Sequence, residues 1–218
     1  MNRTWALVPI RGLESAKSRL GEGLDAEERL VLVTELLRRT LVATRDAPSI
    51  TGTIVVTMDP AAAAMAKDHR AIGLVERAPG LDGAIRAARS LAVARRATAV
   101  LVLPADLPGV TADALEALLA AAREVAATPA GAATGASVAA PLVALVPDRH
   151  GTGTNALLLA PPMAIEPAFG EGSRGRHAEA ARAAGARYLE VGGPLTFDID
   201  TPSDLLLAEP ALAGPHGG

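Results

Sequence analysis

The sequence contains no cysteine. Disulfides, thiolate zinc sites and a cysteine nucleophile are therefore excluded, and the absence fits a cytoplasmic protein. Aromatic residues are almost missing, with one Trp, one Tyr and two Phe in 218 residues. The core must then be built from Ala, Val, Leu and Ile, and Trp5 is expected in it rather than stacked on a base. Positive charge is not in excess: the net charge is −3 and the pI near 5.8, which leaves no nucleic-acid footprint. No apolar run is long enough to span a bilayer. The opening Met1-Asn2-Arg3-Thr4 lacks the parts of a signal peptide. The four histidines, His69, His150, His177 and His216, show no zinc-ligand spacing. His177 is expected on a helix surface near an anion site, with no catalytic role.

Half of the residues are hydrophobic and 21% are charged, a globular composition. Short apolar runs alternate with longer amphipathic ones. Strands are expected at Trp5–Ile10, Thr53–Met58, Ile72–Glu76 and Thr98–Leu103. Helices are expected from Asp25 to about Arg45, from Pro60 to about Arg70, over Gly83–Arg95, and from Thr111 to about Ala127. Asp25 with Glu28 reads as a capping box. Leu30, Val33, Leu37 and Leu41 line one face of the first helix. Further on, Val138–Val146, Asn155–Leu159, Arg187–Val191 and Leu195–Phe197 read as strands, with helices at Arg174–Ala184 and Pro202–Leu207. The rhythm predicts a three-layer α/β domain, a mostly parallel sheet with helices on both faces. The domain should span 1–209, with a flexible insertion at about 127–137 and a frayed tail at 210–218. Ligands of such sheets bind beyond the carboxyl ends of the strands.

Three aspartates carry the chemistry. Asp198 and Asp200 flank Ile199 after the apolar Leu195–Phe197. On an extended chain such side chains point the same way, with Cα atoms about 6.5 Å apart. Asp106 follows another apolar run and is held between Pro104 and Pro108. Like charges this close repel unless a cation lies between them, so the pattern suggests phosphate chemistry with Mg²⁺. Asp200 or Thr201 also suits the cap of the helix at Pro202. The loop after the first strand, Arg11 to Leu20, carries Arg11, Lys17 and Arg19. These cations can neutralise a triphosphate, although the loop is not a Walker A sequence.

Two glycine-rich turns are candidate anion seats. One is His150-Gly151-Thr152-Gly153-Thr154-Asn155, whose backbone N–H groups and Thr154 hydroxyl could meet an anion. The other is Phe169-Gly170-Glu171-Gly172-Ser173, with Ser173 as the cap of the next helix and an anion at that helix start. Asp82, in Gly80-Leu81-Asp82-Gly83, reads first as a helix cap. Its carboxylate could also accept from the N1–H and N2–H₂ edge of guanine.

Together these segments resemble the 2-phospho-L-lactate or phosphoenolpyruvate guanylyltransferase family of coenzyme F420 biosynthesis. The matching pieces, in order, are Ala16-Lys17-Ser18-Arg19-Leu20, Gly80-Leu81-Asp82-Gly83-Ala84-Ile85 and Pro104-Ala105-Asp106-Leu107-Pro108. They continue with Gly153-Thr154-Asn155-Ala156-Leu157, Phe169-Gly170-Glu171-Gly172-Ser173 through His177, and Asp198-Ile199-Asp200-Thr201-Pro202-Ser203-Asp204-Leu205. The resemblance implies a single-domain nucleotidyltransferase fold like that of the molybdenum-cofactor guanylyltransferases. It implies Mg²⁺ on Asp106, Asp198 and Asp200, GTP phosphates on Lys17 and Arg19 with Arg11 assisting, and the acceptor's phosphate and carboxylate near Thr154, Gly170 and Ser173. Two positions depart from the family pattern: Arg11 stands where Lys is expected, and Asp82 where Asn is usual.

The implied reaction joins GTP to a small phosphorylated carboxylic acid and releases pyrophosphate. Phosphoenolpyruvate, 2-phospho-L-lactate and 3-phospho-D-glycerate all satisfy that description. A nucleotidyltransferase acting on a sugar phosphate or a molybdopterin is the nearest alternative, and a non-catalytic nucleotide-binding module is the alternative of another class. Neither a membrane nor nucleic acid is expected as a partner, and a homodimer is left open.

Overall fold

The computed structural model describes residues 2–14, 20, 23–76, 80–128 and 140–212. Among them are seven strands: β1 (Thr4–Pro9), β2 (Ile50–Thr57), β3 (Ile72–Val75), β4 (Ala99–Val102), β5 (Leu142–Pro147), β6 (Thr154–Ala160) and β7 (Arg187–Glu190). Six α-helices accompany them: α1 (Ala26–Asp46), α2 (Pro60–Asp68), α3 (Gly80–Ala94), α4 (Ala112–Ala127), α5 (Ser173–Ala183) and α6 (Pro202–Leu212). The strands form one sheet in the order β3-β2-β1-β4-β6-β5-β7. β1 to β4 run parallel, as do β5 and β7, while β6 is antiparallel to both its neighbours.

The alternation within each strand decides the layers. Leu7, Ile54, Val56, Val100 and Val102 point to one face and pack on Ile85, Ala88 and Ala92 of α3. Val8 and Val55 point to the other, against Val33, Leu37 and Leu41 of α1 and Ala62 and Ala66 of α2. Leu101, Ala144 and Leu158 meet Leu115, Leu118 and Leu119 of α4. A strand buried on both sides reads as an unbroken apolar run, which is how β4 looks in the sequence. Trp5 is in the core, as expected. It owes its room to Gly52, where a Cβ would stand 2.8 Å from the indole ring.

Local chemistry sets the helix starts. The Asp25 carboxylate accepts from Glu28 N–H at 2.9 Å and the Glu28 carboxylate accepts from Asp25 N–H at 2.9 Å, the reciprocal capping box. Thr111 Oγ1 accepts from Ala114 N–H to start α4. Asp59 caps α2 ahead of Pro60 and also accepts from Leu13 N–H at 2.9 Å. That bond ties the loop after β1 to the end of β2.

Several expectations change. Leu195–Phe197 is not a strand: Pro194–Thr196 form a 3₁₀ turn, following Gly193 at φ 123°. Proline cannot donate to a ladder, so a strand there was disfavoured. β5 begins at Leu142. α3 begins at Gly80, so Asp82 lies inside its first turn instead of capping it. α6 runs on through Leu212, where the buried Arg39 guanidinium donates to the carbonyls of Ala211 and Leu212. A cation there satisfies the orphan carbonyls of a helix end. The expected insertion falls largely on residues 129–139, and the tail beyond Leu212 on 213–218; both stretches lie outside the described residues. No helix among the described residues is long and apolar enough to cross a membrane.

Candidate active site

The strand order reverses between β1 and β4, and the loops after them open at one edge of the sheet. Because β6 is antiparallel, its first residues reach the same edge. That edge is where an open α/β sheet offers a crevice.

The two segments that carry the three aspartates are joined there by one backbone bond. Ile199 N–H donates to Asp106 C=O at 3.1 Å, joining the turn after β4 to the segment after β7. Ile199 is fully buried against Leu20, Leu36 and Ala208, while Asp198 and Asp200 on either side of it are half-buried. The alternation expected of an extended chain is kept without a strand. Asn155, at the start of β6, donates to Leu195 C=O at 3.1 Å and to Asp198 Oδ1 at 3.4 Å. On the far side the buried Asp204 Oδ2 accepts from the N–H groups of Asp200 at 2.9 Å and Thr201 at 2.8 Å. Arg149 pairs with Asp204 Oδ1 at 2.5 Å and lies 5.1 Å over the Phe197 ring. Burial pushes the Asp204 carboxyl up, but the amides and Arg149 prevail and hold it at about 2. It is therefore an anion at any working pH. Thr201 Oγ1 accepts from Asp204 N–H at 3.3 Å, the capping role expected at that position.

Among the described residues no three carboxylates or imidazoles converge into a ready metal cage. Mg²⁺ ordinarily takes only one or two carboxylates and completes its shell with water and substrate phosphates. Asp106, Asp198 and Asp200 are hard oxygen donors on two tethered segments, and they fit that mode.

On the β1–β3 side lies a cleft of about 370 Å³. Its walls include Ile10, Arg11, Met58, Glu76, Gly80 and Leu81. Arg11 is thus placed on the cleft after β1. Lys17 and Arg19 lie outside the described residues. Asp82 is one turn into α3 and its Oδ1 accepts from Phe169 N–H at 3.3 Å. It is tied to the second glycine turn, on the other flank of α3.

Thr154, Ser173 and His177 form a cluster. Ser173 Oγ donates to Thr154 Oγ1 at 3.1 Å, and His177 Nδ1 lies 3.0 Å from the same oxygen. Ser173 is the first residue of α5; the cap position belongs to Gly172 at φ 70°, with no side-chain cap bond. Ser173 therefore turns its hydroxyl inward instead of capping. His177 is fully buried, contrary to the surface position expected for it. It lies edge-on to Phe169, with ring centroids 5.2 Å apart. Burial, helped by the nearby Arg176 charge and opposed by Asp82, pushes its pKa down to about 4.

The two glycine turns differ. In the first, between β5 and β6, Asp148 Oδ1 accepts from Thr152 N–H at 2.8 Å, and Asp148 C=O accepts from Gly151 N–H at 3.0 Å. Burial raises the Asp148 carboxyl, but the turn amides of Gly153, Thr152 and Gly151 outweigh it and hold the group below its ordinary range. This turn holds its own anion. In the second, the N–H groups of Ser173 and Arg174 are taken by Gly170 C=O and Thr152 C=O. The helix-start donors expected for an anion are therefore partly spent. The turn itself is arranged differently: the Arg176 guanidinium collects the carbonyls of Ala168, Phe169 and Glu171. In a trans peptide N–H points opposite to C=O, so the amides of Gly170 and Gly172 face away from Arg176. Phe169 N–H, turned the same way, meets the Asp82 carboxylate.

Sequence reasoning missed Arg149, Asn155, Asp204 and His177 as site-building residues. Asn155 and Asp204 lay inside quoted motifs, next to Thr154 and four residues after Asp200. His177 closed the motif that begins at Phe169 but was read as a surface residue, and Arg149 had no local signal.

The sequence profile of the family described as "Guanylyl transferase CofC like" matches residues 4–211. A phosphoenolpyruvate guanylyltransferase from Sphaerobacter thermophilus is 43% identical over 204 residues, covering 93% of this chain and 90% of that protein. One from Rubrobacter xylanophilus is 38% identical, covering 94% and 93%. In the fold alone, the chain is similar to a Desulfovibrio desulfuricans protein described as a nucleotide-diphospho-sugar transferase. That match has a TM-score of 0.70 at 14% identity, covering 93% of this chain and 84% of that one. A 4-diphosphocytidyl-2C-methyl-D-erythritol synthase gives a TM-score of 0.63 at 14% identity, covering 97% and 100%. With a profile that spans nearly its whole length and relatives this similar, the chain belongs to the guanylyl transferase CofC-like family.

Proposed function

We propose that the protein is a guanylyltransferase that joins GTP to phosphoenolpyruvate, or to a close phosphorylated carboxylic acid, in coenzyme F420 biosynthesis. The observation that carries the reading is the Ile199 N–H to Asp106 C=O bond of 3.1 Å. It supports the reading because it ties together the two segments that carry the three aspartates, near the edge with the Arg11 cleft and the Thr154–Ser173 cluster. The names of the relatives supply the guanylyl donor and the acceptor class.

A phosphate oxygen of the acceptor attacks the α-phosphorus of GTP. A new P–O bond forms there, the bond to the bridging oxygen of the β-phosphate breaks, and pyrophosphate leaves. The attacking group is already an anion, so no general base is required. What remains for the protein is positioning and charge neutralisation. Arg11, with Lys17 and Arg19 of the same loop, would hold the triphosphate. Asp106, Asp198 and Asp200 would hold Mg²⁺, which when bound neutralises phosphate charge. The cleft beside Arg11 would take the nucleoside. Thr154, Gly170 and Ser173 would hold the acceptor, and Asp82 would hold the Gly170 turn in place.

The test is pyrophosphate release from GTP with Mg²⁺ and each of phosphoenolpyruvate, 2-phospho-L-lactate and 3-phospho-D-glycerate, with mass spectrometry of the product. The expected result is release that requires an acceptor, fastest with phosphoenolpyruvate, and a product mass of acceptor plus GMP less water. Tight GTP binding without release for any acceptor would overturn the reading in favour of a binding module. Release only with a sugar phosphate would overturn the acceptor class.

A further inference from the structure

We propose that His177 is a positioning residue for the acceptor: a neutral imidazole, locked in one tautomer, that aims the Thr154 hydroxyl proton out of the cluster and toward the bound anion. The inference rests on the assignment of Thr154 to the acceptor.

The argument starts from a donor that cannot change its role. Ala168 N–H lies 2.9 Å from His177 Nε2. A backbone amide can only donate, so Nε2 must carry a lone pair. An imidazolium would set N–H against N–H. The single ring proton is therefore on Nδ1, because the bond made by one nitrogen fixes the state of the other. Full burial of the ring favours the same neutral form.

Among the described residues the Nδ1 proton meets Thr154 Oγ1 at 3.0 Å. Ser173 Oγ donates to the same oxygen at 3.1 Å. A hydroxyl has two acceptor sites and one proton. With Nδ1–H and the Ser173 hydroxyl both donating to it, both acceptor sites are filled, so Thr154 can act further only as a donor, and the protonated Nδ1 cannot take its proton. Thr154 retains 9% exposure at the first position of β6, and the next residue, Asn155, donates to Asp198 Oδ1. A hydroxyl that can only donate suits a phosphate or carboxylate and disfavours a ligand donor at that point. Through Ala168, the same ring also anchors the start of the Phe169–Gly172 turn.

Three substitutions separate the two nitrogens. His177→Asn places an amide N–H near Nδ1 and keeps the bond to Thr154. His177→Gln places its polar atoms near Nε2 and keeps only the anchor to Ala168. His177→Phe keeps the ring and neither bond. Steady-state kinetics with GTP and phosphoenolpyruvate, together with Thr154→Val and the double variant with His177→Phe, read the outcome. The expected loss in acceptor kcat/KM for His177→Phe is roughly 10- to 100-fold, the worth of one charge-assisted hydrogen bond. Asn should restore most of it and Gln little, with GTP KM unchanged throughout. The double variant should be no worse than Thr154→Val alone, since both changes remove one contact.

Gln restoring activity where Asn does not, or losses that multiply in the double variant, would overturn the proposal and leave His177 as packing. An independent readout needs no turnover. The ¹⁵N spectrum of the imidazole in the wild-type protein at pH 7 should show a protonated Nδ1 and an unprotonated Nε2; the opposite tautomer or an imidazolium would overturn the proposal. Wild-type protein that makes no product with any acceptor, while showing the expected tautomer, would instead sink the acceptor reading itself.

Discussion

The two glycine turns lie side by side and do opposite things. The turn at Asp148–Gly153 carries its anion in its own sequence, and its amides are spent on it. The turn at Phe169–Gly172 has its carbonyls gathered by Arg176 and presents the amides of Gly170 and Gly172 on the other side. Arg174 joins them, donating to Gly151 C=O at 2.8 Å while its own N–H reaches Thr152 C=O. Glycine content is therefore a poor guide to an anion site. What decides is whether a carboxylate of the turn already accepts from the turn's own amides, as Asp148 does. The closed turn is a platform: Arg149 leaves it to clamp Asp204 and Phe197, and so steadies the Asp198–Asp200 segment. The open turn leaves the amides of Gly170 and Gly172 facing away from Arg176, the arrangement the proposed acceptor seat needs.

The largest effect should come where the platform's support ends. Asp198→Asn keeps size and removes the charge that a hard cation needs. Turnover is expected to fall by roughly 10²–10³ or more, the scale for loss of one key electrostatic group, with circular dichroism unchanged. Wild-type turnover at saturating Mg²⁺ would remove Asp198 from the metal role.

Next comes a pH effect on the open turn, through the histidine that anchors it. His177 is lowered from 6.5 to about 4 in the folded protein by burial and Arg176, against Asp82. Between those values the unfolded chain binds the extra proton, so stability falls as pH drops from about 6.5 to about 4. The difference of about 2.5 units corresponds to about 3 kcal/mol. Urea midpoints across that window should drop for the wild type and flatten in His177→Asn. Parallel curves for the two proteins would break the assignment.

A paired substitution tests the contrast directly. Gly170 sits at φ 101°, and a Val there is strained whatever the space, so Gly170→Val should cost acceptor kcat/KM about 10- to 100-fold, an order of 1–3 kcal/mol. Asp148→Ala should instead cost stability, about 1–3 kcal/mol for amides left without their acceptor, with the acceptor KM within about twofold. If Asp148→Ala raised the acceptor KM as much as Gly170→Val does, the two turns would share one job.

The smallest effect concerns charge beside the seat. Asp82→Asn keeps an oxygen for Phe169 N–H and removes a negative charge near the acceptor. A two- to fivefold lower acceptor KM is expected, about 0.3–1 kcal/mol for a screened like-charge contact. An unchanged KM would place the acceptor far from that carboxylate.

The layers were legible because unbroken apolar runs and helical periods are local signals. The loops were not. Leu195–Phe197 looks apolar enough for a strand, but Gly193 and Pro194 force a 3₁₀ turn. The Asp198–Asp200 alternation held anyway, because it needs only an extended chain with Ile199 anchored beneath it. His177 was misplaced because its helix, Ser173–Ala183, is rich in Arg and Ala and shows no apolar face to predict burial. Its burial comes from the Pro161–Gly172 segment, which Arg89 holds through Ile165 C=O at 3.0 Å and Glu166 at 2.6 Å. Arg149 and Asp204 are 55 positions apart in the sequence, and no spacing rule reaches across that distance.

The most direct measurement is a titration of the ¹⁵N-labelled protein with phosphoenolpyruvate in the presence of Mg²⁺ and a non-hydrolysable GTP analogue, following backbone amides. The account predicts saturable shifts at Gly170 and Gly172, while Gly151 and Gly153 stay where they are. Shifts at Gly151 and Gly153 with Gly170 and Gly172 unmoved would contradict it.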